Sequence, residues 1–220
     1  MAEIETRVEL IIPSPKKLFT PAVTVILILM VAGYALLNYA PDFTEAHLAL
    51  SAGGLFSGQI WQLVTYSFLN CNGFILIFYL LLMLFVGSNI EREWGSMGLI
   101  LFWLTVSIIC GLIWVLVNYL AGFNYLGLGA SACEFGLLAA FGILYRTKRF
   151  LAWFWVLQAQ HAAWALIIIG IILSIPQPIT LIWLTGVLVA YLYIKLRWRI
   201  SLASSASSSR YKPQSFVDID

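Results

Sequence analysis

Charge is what this sequence has least of. Only 10% of its 220 residues are Asp, Glu, Lys or Arg, it holds 2 histidines, and its mean hydropathy is +0.94. Soluble domains carry about a quarter charged residues, so a water-soluble globular chain is excluded. Cysteine is scarce as well. Cys71, Cys110 and Cys133 have no metal-ligand spacing, and two of them fall inside apolar runs, so neither a disulfide framework nor a metal site is expected. The prolines, Pro13, Pro15, Pro21, Pro41, Pro176, Pro178 and Pro213, lie at the ends of apolar runs or outside them. Helices broken by proline in the manner of transporters are therefore missing, as is an internal repeat. No basic patch interleaved with aromatics exists, which removes nucleic acid as a partner.

Apolar runs fill the space that charge leaves. They lie near 20–40, 70–88, 97–119, 130–145, 150–174 and 179–196. A membrane helix needs about 20 such residues, and a backbone in hydrocarbon must satisfy its own hydrogen bonds, so the runs read as helices. The expectation is an all-α membrane protein, a bundle of six transmembrane helices. No small-residue cleavage signature follows the first run, which is expected to stay as an anchor.

The cations agree with that count. With six crossings, both termini share a face with the loops at 89–96 and 146–149. Those segments contain Arg7, Lys16, Lys17, Arg92, Arg146, Lys148, Arg149, Lys195, Arg197, Arg199, Arg210 and Lys212, which are all 12 Lys and Arg of the chain. The opposite face, with Asp42, Glu45 and the Pro176-Gln177-Pro178 turn, has none. The positive-inside rule then places both termini in the cytoplasm, and in a bacterium the membrane would be the plasma (inner) one. Three regions follow: a cytoplasmic segment 1–19, a helical domain 20–200, and a serine-rich tail 201–220 expected to be disordered. The stretch 40–61 mixes apolar residues with Gly, Ser and Trp61, and is expected at the outer interface.

The motif that raises a chemical question is "GLGASACEFGLL", residues 127–138. It sets Ser131 in a glycine-rich turn and a carboxylate, Glu134, one helical turn later. Ala132, Gly136 and Ala140 repeat at four-residue spacing along the fourth span, and Gly186 and Ala190 do so on the sixth. Small residues at that interval let membrane helices approach closely, so these two helices are expected to be neighbours.

In order and spacing, "GQIWQLVTYSFLN", "GSNIEREWGSMGLI", "GASACEFGLLAAFG" and "WLTGVLVAYLY" resemble four segments of the rhomboid family of intramembrane serine proteases. The resemblance runs over about residues 20–196. It implies a six-helix fold with cytoplasmic termini and places Ser131 at the nucleophile position. In that family a histidine of the sixth helix activates the serine, while a histidine and an asparagine of the second helix help to hold the oxyanion. Here the resemblance puts Trp183 at the histidine position, and Ile75 and Tyr79 at the oxyanion positions. A shift of register recovers none of them: 73–88 contains neither His nor Asn, and no His, Asp, Glu or Asn occurs between Ser174 and Ile200. Gln62, Asn70 and Ala132 also depart from the family's usual arginine, histidine and glycine.

A serine hydroxyl is a weak nucleophile until a base takes its proton, and an indole N–H cannot accept one. With the base and both oxyanion helpers missing together, Ser131 reads as vestigial. Inactive relatives commonly act in membrane-protein trafficking or quality control, so the partners that the resemblance implies are lipid and the transmembrane segments of client proteins, with no cofactor. The alternative is an active intramembrane serine endopeptidase with a non-standard base, for which Glu134 and His161 are the candidates. An ionised carboxylate at membrane depth costs several kcal/mol unless it is paired or protonated. His161 is the histidine inside a span, and at about 1.5 Å per helical residue it falls within about 5 Å of the depth of Ser131. Gln158 and Gln160 beside it fit a polar cluster.

Overall fold

The structure, a computed structural model, describes residues 18–123, 125–145, 149–152, 155–158, 161, 164–165, 167–168 and 183–208. Proline at the first position opens helix α1 (Pro21–Tyr39), its fixed φ suited to a first helical turn. Ala22, Val23, Ile26, Met30 and Gly33 are buried along one stripe. Val25, Ile28, Leu29 and Val31 on the remaining surface are exposed although apolar. A helix hydrophobic all round but packed on one side is what a membrane accommodates.

The stretch after α1 folds into three short helices, α2 (Pro41–His47), α3 (Ala52–Phe56) and α4 (Gln62–Thr65). None is long enough to persist alone, and bonds between them supply the order. The Trp61 indole donates to the His47 carbonyl at 2.8 Å, Thr65 Oγ1 to the Leu48 carbonyl at 2.7 Å, and Gln62 Nε2 to Gln59 Oε1 at 2.6 Å. Leu50 and Gly127 exchange backbone bonds of 3.0 and 2.8 Å, tying the segment to the loop before Ser131. A 3-10 turn, Tyr66–Phe68, packs its backbone on Gly33 of α1, where a Cβ would overlap the Phe68 carbonyl.

Asn72 caps α5 (Gly73–Leu82), its Oδ1 accepting from the amides of Phe74 and Ile75 at 2.9 and 3.3 Å. The helix continues through a π-helical turn, Met83–Gly87, into α6 (Ser88–Ala121). Gly95 breaks α6 with φ 75° and ψ 164°, a conformation open to glycine alone at low cost. The charged residues Glu91, Arg92 and Glu93 read as loop in the sequence. They instead form the helical turn before that break, because Glu91 is anchored on α1 and holds the turn in place. Two stretches among the described residues are long and apolar enough to cross a membrane, α1 and the broken run Gly73–Ala121.

Helix α7 (Ser131–Leu144) is almost wholly buried, and α8 (Trp183–Ser208) lies against it. The buried core links Met30, Met83, Phe102, Trp103, Leu137 and Ile194 from α1, the π turn, α6, α7 and α8. The expected fifth helix at 150–174 requires a correction at its start. Strands β1 (Arg149–Ala152) and β2 (Trp155–Gln158) form an antiparallel hairpin with Arg149 opposite Gln158 and Ala152 opposite Trp155. Phe150, Trp155 and Val156 favour extended backbone, and length and hydropathy alone do not separate the two forms. His161, Trp164, Ala165, Ile167 and Ile168 are helical, and the rest of that span lies outside the described residues. Helix α8 runs to Ser208, past residue 200, where a structureless tail was expected; its alanines and leucine sustain the helix among the serines. Residues 1–17 and 209–220 lie outside the described residues.

Candidate functional site

The site begins with a glycine. Gly129 has φ 116°, which L side chains rarely adopt, and its amide donates to the Tyr66 carbonyl at 3.0 Å. This bond hangs the start of α7 from the turn before α5. A Cβ at Gly129 would lie 3.9 Å from both Asn70 Oδ1 and Ser131 Oγ, so the two side chains flank the same glycine.

Ser131, the first residue of α7, is 6% exposed. Its side chain lies beside the hydroxyl of Tyr79 on α5, and the carboxyl of Glu134 lies close enough to Tyr79 to act on it electrostatically. Glu134 is 1% exposed, and neither of its oxygens has a hydrogen-bond partner among the described residues. The same holds for Nδ2 of Asn70, which is 3% exposed. Four polar groups thus meet where α5, α7 and the turn before α5 converge. Two of them keep unused hydrogen-bonding atoms, an unusual condition for buried groups.

Of the residues singled out in the sequence, Ser131, Glu134 and Tyr79 come together. Ile75, one turn before Tyr79 on α5, is partly exposed and offers an alkyl side chain with no donor. Trp183 begins α8, one turn before Gly186 on the same face; its side chain lies outside the described residues. His161 is exposed and, among the described residues, makes no hydrogen bond to Ser131 or Glu134. Gln158 belongs to β2, and Gln160 lies outside the described residues. The small residues of α7 and α8 meet backbone to backbone. The Gly186 carbonyl would be 3.0 Å from a Cβ on Gly136, Gly186 lies against Ala132, and Ala140 and Ala190 are fully buried. Asn70 appeared in the sequence only as a departure from a motif. Its place beside Ser131 depends on a turn and on Gly129, which no local pattern announces.

A second polar centre holds the other end of the bundle. Glu91 accepts from the amides of Ala22 and Val23 at 3.0 and 2.9 Å, from Ser96 Oγ at 2.5 Å and from Thr20 Oγ1. Burial pushes the Glu91 carboxyl up, but these four donors outweigh it and hold the group below its ordinary 4.5. No other cap serves those amides, since the Thr20 side chain makes no capping bond to α1.

Residues 57–200, well over half the chain, match the family model of the Rhomboid domain. The chain belongs to the rhomboid family. No curated protein matches it. As a rhomboid with helices of this apolar character it is an integral membrane protein in contact with lipid. Among the described residues, no group of three or more His, Cys, Asp and Glu side chains is placed to hold a metal ion. Cys71 is exposed, Cys110 and Cys133 are buried, and all three are free thiols.

Proposed function

We propose that this rhomboid is a pseudoprotease: a six-span protein with both termini in the cytoplasm that binds transmembrane segments of client proteins and does not cut them. The observation that carries the reading is what lies beside Ser131. An active serine requires an acceptor for its proton and fixed donors for the oxyanion. Beside Ser131 lies instead the phenol of Tyr79, a group that at neutral pH acts as a donor more readily than as a base. Trp183 brings an indole to the position of the usual base, and Ile75 brings no donor at all.

The second reading, an intramembrane endopeptidase, is favoured by one feature. Glu134 and Ser131 both lie beside Tyr79, so a proton could pass from serine to carboxylate through the phenol. His161 gives it less support, being exposed and unconnected to Ser131 among the described residues. Reconstitution with labelled single-span segments separates the two. The pseudoprotease retains the segments intact, and Ser131→Ala leaves retention unchanged. Cleavage that disappears in Ser131→Ala establishes the protease.

A further inference from the structure

The unpaired atoms of the vestigial centre are complementary to one kind of side chain. Among the described residues, Glu134 presents two acceptor oxygens without donors and Asn70 an N–H donor without an acceptor; both residues are more than nine-tenths buried. We infer that Asn70 and Glu134 form a recognition site for a carboxamide, the side chain of an Asn or Gln within a client's transmembrane segment. The amide NH2 donates to Glu134 and the amide oxygen accepts from Asn70 Nδ2. A lysine could satisfy Glu134 but has no acceptor for Asn70, and an aliphatic residue satisfies neither. This inference rests on the client-binding reading above.

Two further observations support it. The chain beside Asn70 runs at the surface. Cys71 and Asn72 next to Asn70 are exposed, and so in part is Ile75, on the same face as Tyr79. Moreover, nothing in the described packing explains keeping Glu134. A buried carboxyl without donors destabilises the fold that carries it, and an alkyl group of similar size would relieve the penalty. A residue that costs stability and is held over a vestigial nucleophile is accounted for by a ligand that pairs with it.

The test uses Cys71, the exposed thiol beside the cluster, as a fixed reporter. Full-length protein in liposomes is mixed with leucine-based single-span segments carrying Gln, Lys or Leu at mid-depth and one cysteine near the outer end. Capture is read with a bis-maleimide linker, and Cys71→Ser gives the background. The Gln segment is expected to be captured about tenfold more than the Leu or Lys segments, with the preference lost in Glu134→Leu and in Asn70→Ala. Glu134→Leu is also expected to raise the thermal unfolding temperature while removing the preference. Equal capture of all three segments, or a preference that survives Glu134→Leu, leaves client binding intact and overturns the carboxamide site. A Glu134→Leu protein less stable than the parent assigns the carboxyl to structure and overturns it too. Capture of none of the segments removes client binding itself, and the inference with it.

Discussion

Gly186 on α8 sits against the carbonyl oxygen of Ala132 on α7, with no volume between them for a methyl group. The obstruction is backbone, which cannot swing aside as a flexible side chain can. Helix association in lipid depends on close packing because hydrocarbon tails are as apolar as the side chains they replace. Gly186→Val is therefore expected to destabilise the protein by about 2–3 kcal/mol or to prevent its assembly, read as a lower unfolding temperature in detergent. Gly53→Ala, where a Cβ meets nothing within 4 Å, is the control and is expected to leave that temperature within a degree or two of the parent.

Glu91 joins the α1 amides to the turn that follows Gly95. Glu91→Ala orphans the Ala22 and Val23 amides as well as two hydroxyls, and is expected to cost at least about 2 kcal/mol. The pH dependence has a definite sign. In the folded protein the carboxyl titrates below its ordinary 4.5. Its bonds thus stabilise the fold above that pH, and the contribution is lost as pH falls through the folded value. Unfolding curves from pH 7 down to 3 are expected to show a smaller acid destabilisation in Glu91→Gln than in the parent.

Restoring the catalytic groups one at a time is expected to fail. Trp183→His alone supplies a base but leaves the Tyr79 phenol beside Ser131 and no oxyanion donor at 75. Trp183→His with Ile75→His and Tyr79→Asn supplies all three. Its cleavage of a helical test segment is expected to exceed that of the single variant by at least about a hundredfold, the ordinary contribution of a positioned base and of oxyanion donors.

Much of the frame was legible because hydrophobic runs of membrane length have one physical outcome. Helices α1, α6 and α7 lie on runs read directly from the residues. The short helices between Pro41 and Thr65 were not, since bonds such as Trp61 to His47 and Leu50 to Gly127 join positions that no local period connects. The hairpin at 149–158 was missed for the opposite reason: an apolar stretch without alternation reads equally as buried strand or as helix. At the site, Ser131 and Glu134 stood out as polar residues in an apolar run. The places of Asn70 and Tyr79 beside them are products of packing, and no local pattern signals that Asn70 Nδ2 and the Glu134 oxygens lack partners among the described residues.

The central claim, that Ser131 has no means of losing its proton, is tested most directly by a fluorophosphonate probe on the purified protein in liposomes at neutral pH. Labelling of the parent no greater than that of Ser131→Ala is the expected result, because an unactivated hydroxyl does not attack phosphorus at a useful rate. Labelling that maps to Ser131 and vanishes in Ser131→Ala would contradict it, and loss of that labelling in Glu134→Gln would identify the carboxylate as the base.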